Sequence, residues 1–247
     1  MAEQTKDLEE MLIYLGLPVS AVALDQLQRS PKGASFSPIQ YLRSIIEPQV
    51  IETKELNFRK CLRNSRLGAC DSDVSNLRTG NGRIYDDNLV RQLLSFEFLD
   101  NGRNVNVFGV TDAGKSYFLS AFCIEACRRE IDCRFLDYVE FMEDMSILHD
   151  TNEKSFKRKL KSLSKVRLLF IDDFAINRYS ENQINILYRL LKARTDNKVS
   201  TMISCQYDPE EWGMHLSKDK DCYGKLDGLR RRLISNGYYV LIQKVGT

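Results

Sequence analysis

Gly109-Val110-Thr111-Asp112-Ala113-Gly114-Lys115-Ser116 follows the stretch Asn104-Val105-Asn106-Val107-Phe108 and runs into Tyr117-Phe118-Leu119-Ser120-Ala121-Phe122. The octapeptide fits the pattern G-x-x-x-x-G-K-[ST] without a gap, and loops of that pattern bind phosphate. Glycines let backbone amides approach a triphosphate closely. The lysine reaches the outer phosphates, and the hydroxyl can hold Mg²⁺. The residues before the loop read as a strand and those after it as a helix. The loop therefore sits on a helix N-terminus, whose dipole and free amides favour an anion.

A triphosphate site also needs carboxylates. Val166-Arg167-Leu168-Leu169-Phe170-Ile171-Asp172-Asp173 is an apolar run that ends in two acids. Its length suits a buried parallel strand, and ligands of parallel α/β sheets lie at the carboxyl ends of strands. Asp172 is then the candidate for the Mg²⁺ shell and Asp173 for orienting an attacking water. Taken alone, the two acids could simply end a strand in a turn. The phosphate loop beside them favours the site.

Composition bounds the rest. The chain has 247 residues, 43% of them hydrophobic and 28% charged, with a net charge of +2, as in ordinary globular proteins. That charge is too small to imply a nucleic-acid partner, so the distribution of basic residues matters more than their sum. Seven cysteines include no C-x-x-C pair, and the histidines are two, His149 and His215. This argues against a structural zinc site and for reduced thiols in a cytosol. Cys123 and Cys127 share a helix face and read as core. The acidic N-terminus, MAEQTKDLEE, is not a signal peptide, and no apolar run is long enough to span a membrane.

The first 67 residues read as helical. Leu8, Met11, Leu12 and Leu15 recur at helical spacing before Gly16 and Pro18, and Ala21, Leu24 and Leu27 suggest a second helix. Ser37-Pro38-Ile39-Gln40 combines a cap, a first-turn proline and a capping-box glutamine. Ile39, Leu42, Ile45 and Ile46 then line one face, and Pro48 should open or kink a further helix. Residues 68–83, with Gly68, Gly80, Asn81 and Gly82, have linker composition. From residue 84 onward strands (105–110, 133–138, 166–172, 198–205, 237–242) alternate with helices (114–129, 139–147, 153–164, 181–193, 208–214, 226–235). Such alternation predicts a parallel α/β sheet.

With these pieces in place, the chain resembles the IstB/DnaC group of AAA+ ATPases. Besides the loop and the acid pair, Ser200-Thr201-Met202-Ile203-Ser204-Cys205-Gln206 with Glu211-Trp212 resembles the S-T-[IL]-x-T-S-Q strand and nearby tryptophan of IstB proteins. Asp227-Gly228-Leu229-Arg230-Arg231-Arg232-Leu233-Ile234-Ser235-Asn236 is similar to their D-A-I-x-D-R-L-x-x-N segment. The resemblance covers nearly the whole chain. It implies a P-loop NTPase of AAA+ type: a five-stranded parallel sheet sandwiched by helices, preceded by a small all-helical domain. It implies an ATPase using ATP and Mg²⁺ that assembles as a homo-oligomer, ring or spiral, on duplex DNA in the bacterial cytosol and assists a transposase. In that frame Lys115 and Ser116 bind phosphate and metal, Asp172 holds Mg²⁺ and Asp173 is the base. Arg232 is then the arginine finger reaching a neighbour's γ-phosphate by alignment, with Arg230 and Arg231 competing for the same role. Two departures stand out: Arg231 replaces an acid, and Ser116-Tyr117 replaces the family's threonine and histidine. The sensor at the end of the fourth strand is Ser204, Cys205 or Gln206, with Gln206 favoured. Only 15 residues follow Arg232, too few for a helical lid, so a neighbour is expected to close the site.

Residues 153–167 carry seven basic side chains against one acid, Glu153. Lys154, Arg158, Lys161 and Lys165 form one helical stripe, opposite Phe156, Leu160 and Leu163. Arg59, Lys60, Arg63 and Arg66 form a second patch. Each is either a solvated face or a contact to DNA phosphates, and neither carries the interleaved aromatics of base stacking. Trp212 reads as a packing anchor. Other functions remain open: a DnaC-like loader of a replicative helicase, a small-molecule kinase, or a structural ATP clamp. The short C-terminus and arginine cluster weigh against the kinase, and the acid pair against the clamp.

Overall fold

The computed structural model describes residues 2–31, 35–77, 79, 82–217 and 222–244. Gly80 and Asn81, counted above with the linker composition, lie outside the described residues. The chain forms two compact units, Met1–Lys60 and Cys61–Thr247.

The first unit is helical. Helix α1 spans Ala2–Tyr14, α2 Pro18–Arg29, and α3 begins at Pro38 and runs to Ser65. Ser37 and Gln40 form the expected reciprocal cap of α3, the Ser37 amide donating to Gln40 Oε1 at 2.9 Å. Of the two expectations for Pro48, that it opens a new helix is not met, because α3 continues through it. The neighbouring Gln49 side chain accepts the amide of Val19 at 2.9 Å, which ties the turn after the proline to the first turn of α2. Ala21, Leu24 and Ile45 are buried, whereas Leu8, Met11, Ile39, Leu42 and Ile46 are all more than half exposed. Packing within this unit leaves these apolar residues of α1 and α3 exposed.

The second unit holds a five-stranded sheet in the order β3-β4-β5-β2-β6, every neighbouring pair parallel. The strands are β2 Asn104–Phe108, β3 Cys133–Asp137, β4 Leu168–Phe174, β5 Ser200–Cys205 and β6 Gly237–Leu241. A small antiparallel pair joins β1 (Arg83–Ile84) to β7 (Gln243–Lys244). The helices are α4 Asp87–Leu93, α5 Lys115–Arg128, α6 Tyr138–Thr151, α7 Glu153–Lys165, α8 Glu181–Asp196, α9 Trp212–Leu216 and α10 Tyr223–Ile234. Strands β2 and β5 are buried throughout, as parallel strands covered on both faces must be. Trp212 is 1% exposed, stacks on Phe108 and meets Phe174 edge-to-face.

Buried polar side chains fix the sheet's lower edge. Asn104 accepts the Thr201 amide at 2.8 Å and donates to the Arg232 carbonyl at 2.8 Å, joining β2 to β5 and α10. Arg194, 1% exposed, donates to the carbonyls of Leu163, Val166 and Ser200 and to Thr201 Oγ1. Its guanidinium thus caps the end of α7 and the start of β5 at once. Asp73 is held against α5. Asp73 pairs with Arg128 at 3.0 Å and donates its amide to Tyr117 Oη at 3.2 Å.

Candidate nucleotide site

The sheet order dictates the site. Strand β5 lies between β2, which feeds the glycine loop, and β4, which carries the acids. Whatever side chains end β5 must therefore stand between the loop and the carboxylates. They do so on both sides. Ser204 Oγ bonds Asp172 Oδ1 and accepts the Asp173 amide at 2.9 Å. Gln206, one step beyond the strand, accepts the Thr111 hydroxyl at 3.0 Å. Of the three sensor candidates, Cys205 alone turns into the core, its thiol against the Tyr207 carbonyl.

The loop's glycines answer two crowded approaches. A Cβ on Gly109 would lie 2.5 Å from the Ile242 carbonyl oxygen. One on Gly114, whose φ of +94° already excludes most side chains, would meet the Arg83 guanidinium at 2.7 Å. Asp112 adopts φ 61° and completes the turn; aspartate tolerates that region better than most residues. Lys115 is buried, and its ammonium donates to the carbonyls of Gly109 and Val110, both at 2.9 Å. Ala113 is fully buried, while Val110, Thr111, Asp112 and Ser116 are exposed. Loop amides, lysine and serine hydroxyl are thereby brought to one end of β2.

The acids are held in irregular backbone. The β4–β5 register shifts between Ile171 and Phe174, and Asp173 and Ala175 have φ of 53° and 66°. Positive φ at a non-glycine residue costs energy and clusters at functional sites. Burial pushes the Asp173 carboxyl above the usual aspartate range, Asp172 adds to this, and Lys115 opposes it. Burial likewise lowers the Lys115 ammonium, against the pull of Asp173. The donor set fits Mg²⁺: Ser116 offers a hydroxyl and Asp172 a carboxylate, the hard oxygen ligands that Mg²⁺ takes.

Arg232 lies away from this cluster. Its carbonyl is bonded by Asn104, at the opposite end of β2 from the loop. Its guanidinium donates to the Gly228 carbonyl at 2.8 Å and rests 4.8 Å over the Tyr188 ring. Arg230 and Arg231 both pair with Asp227. On α7, Lys154, Arg158, Lys161 and Lys165 are exposed, and none of the four makes an ion pair among the described residues. Phe156 and Leu163 are buried beneath. In the other patch Arg59 pairs with Glu55 at 2.7 Å, and Arg63 is exposed.

Two participants escape the sequence reading, while Ser204 is one of its three sensor candidates. Arg83 and Ile242 come next to the loop glycines as β1 pairs with β7 and the Ile242 amide donates to the Phe108 carbonyl at 2.7 Å. A two-residue strand leaves no periodic signal. For α4 a signal was present: Asp86 caps it by accepting the amides of Asn88 and Leu89.

A family model described as "IstB-like ATP binding protein" matches residues 11–233. A protein of insertion sequence IS1162 from Pseudomonas fluorescens is 25% identical over 195 residues, covering 79% of this chain and 83% of the relative. An insertion-sequence protein of Sinorhizobium fredii is 23% identical over 230 residues, 92% of this chain and 89% of its own length. Both names assign ATP binding provisionally. Among solved structures, DnaI matches with a TM-score of 0.55 at 18% identity over 76% of this chain and 92% of its own. AMPPCP-bound DnaA from Aquifex aeolicus gives 0.56 at 15% identity, over 71% of this chain and 50% of that one. At these identities the likeness is one of fold.

Proposed function

Because the chain belongs to the family of IstB-like ATP binding proteins, we propose that it binds ATP with Mg²⁺, hydrolyses it between subunits, and assembles on duplex DNA to assist a transposase. The observation that carries this reading is the convergence of Lys115, Ser204 and the Asp172–Asp173 pair around the end of β5. Lys115 leaves the Gly109 and Val110 carbonyls and moves its charge to the β- and γ-phosphates. The loop amides hold the phosphate oxygens. Ser116 and Asp172 would hold Mg²⁺, which supplies charge neutralisation on the phosphates. Asp173, whose raised proton affinity suits a base, orients the water and takes its proton. Ser204 fixes both acids by bonding one side chain and one backbone amide. Gln206 and Thr111 link the end of β5 to the loop, so a change at the γ-phosphate is felt by both. The exposed stripe of α7 takes DNA phosphates without reading sequence. The uncovered apolar face of the N-terminal unit takes the protein partner; residues 1–67 serve as that partner domain and 68–83 as its connection to the ATPase domain.

Relatives named for insertion sequences favour a transposase over a replicative helicase as that partner. An ATPase assay with and without duplex DNA, combined with native mass measurement, tests the whole. DNA-stimulated hydrolysis by an oligomer is the expected result. A monomer that binds ATP without turnover on any DNA would overturn the proposal. Pull-down against a transposase encoded beside this chain, and against a replicative helicase, separates the two partners.

A further inference from the structure

Four of the seven cysteines converge at one point of the second unit. Cys123 and Cys127 lie one turn apart on α5, Cys133 opens β3, and Cys61 comes from the end of α3. The Cys127 and Cys133 sulfurs are 3.6 Å apart, and those of Cys123 and Cys133 are 3.9 Å apart. The sulfurs of Cys61, Cys127 and Cys133 all lie within 4.8 Å of one another. Sulfurs bound to a tetrahedral zinc ion at about 2.3 Å stand roughly 3.8 Å apart. Cys61, Cys127 and Cys133 therefore stand near ligand spacing already, with Cys123 next to Cys133. The sequence argued against zinc because it lacks C-x-x-C; the fold supplies the convergence from three separate elements instead.

We propose that Cys61, Cys127 and Cys133, with Cys123 as the fourth donor, bind a thiophilic divalent cation of zinc type at a structural site. Cysteine is often buried simply as a small apolar residue, and one or two core thiols need no ligand. Here the Cys123, Cys127 and Cys133 sulfurs turn toward one another, and the Cys61 thiol beside them donates to the Ile131 carbonyl at 3.3 Å, a bond that a cation would replace. Cys123, Cys127 and Cys133 are fully buried, whereas Cys61 is half-buried and gives a path of entry. Binding a cation would displace the thiol protons. The site would pin the end of α3 and the start of β3 to α5, the helix whose first residue is Lys115.

The test uses the full chain, purified without chelator and without nucleotide. Elemental analysis should find a single zinc ion per chain. Cobalt(II) in its place should give thiolate-to-metal charge-transfer bands and intense tetrahedral visible bands. Cys61→Ser, at the half-buried position, should keep the fold while weakening cobalt binding by more than the roughly 10- to 100-fold that losing an outer partner costs. Cys70→Ser, at an exposed cysteine elsewhere, should bind as wild type. Chelation should lower the Tm by several degrees and zinc should restore it, a cycle that Cys61→Ser should not show. A chain with neither zinc nor cobalt bands overturns the proposal, and so does metal retained undiminished in both Cys61→Ser and Cys127→Ser. A Cys127–Cys133 disulfide in protein handled without oxidant would do the same.

Discussion

Lys115 and Asp173 are the residues whose charges the proposed nucleotide site depends on, and their environments set opposite expectations. The Lys115 ammonium donates only to loop carbonyls and is buried, so it is poised to exchange those bonds for phosphate. Hydrogen bonds to charged partners contribute about 1.5–3 kcal/mol. Lys115→Ala should therefore weaken ATP binding by roughly ten- to a hundred-fold, read by calorimetry, with an unchanged circular dichroism spectrum. Asp173 carries a raised proton affinity from burial and from Asp172. A base must be ionised to act, so kcat/KM for ATP should fall on the acid side at a pH above the ordinary aspartate range, and Asp173→Asn should abolish turnover while ATP still binds. The same shift has a stability sign. A carboxyl whose folded proton affinity exceeds its unfolded one stabilises the protein below the unfolded value, and that contribution is lost as pH rises through the folded value. At neutral pH the ionised group opposes folding, so Asp173→Asn should melt higher than wild type without nucleotide. A lower Tm at neutral pH would assign Asp173 a structural role.

At the level of elements, the strands beside the phosphate loop could be placed along the chain because they alternate with helical segments, and β4 because it opens on the apolar run Leu168–Ile171. The acid pair could be read too, since two carboxylates closing an apolar strand are conspicuous. What could not be read is what depends on the strand order. Ser204 matters because β5 lies between β2 and β4, and no local pattern records that adjacency. The cysteine cluster is hidden for the same reason, its members lying up to 72 residues apart in the chain. Arg194 is the clearest case: inside a helix it reads as a surface residue, yet it is 1% exposed and serves four acceptors. Each buried carbonyl left unpaired costs about 1–3 kcal/mol. Arg194→Met should lower stability by at least about 2 kcal/mol in urea unfolding. Arg194→Lys should not rescue it, because one ammonium cannot span the fork. On α7 the prediction is electrostatic. If Lys154, Arg158, Lys161 and Lys165 meet DNA phosphates, the log–log salt slope should be about −0.9 per contact. Reversing Lys154, Arg158 and Lys161 should shrink it alike on all duplexes, and an unchanged slope would leave the stripe a solvated face.

For the whole molecule the question is where the missing positive charge at the γ-phosphate comes from. Within one chain Arg232 lies at the far end of β2 from the loop, so it cannot serve its own site without unfolding α10. Its neighbours Arg230 and Arg231 are both engaged by Asp227. Arg232 makes no ion pair among the described residues; it is held by a backbone carbonyl and an aromatic ring. Those are modest interactions that a phosphate on an adjoining subunit would replace. An arginine supplied in trans is worth roughly 10³–10⁵ in rate in other systems. Arg232→Ala should accordingly bind ATP as wild type does and hydrolyse it at least a hundred-fold more slowly. The decisive measurement mixes it with Lys115→Ala, itself inactive. An interface between the two variants can pair an intact loop from the Arg232→Ala subunit with an intact arginine from the Lys115→Ala subunit. Activity should then rise with the fraction of mixed interfaces and peak near equal proportions. Subunits that hydrolyse alone could not complement one another. Mixed oligomers demonstrated by native mass measurement, yet no more active than either parent, would remove Arg232 from the role and direct the same experiment to Arg230 and Arg231.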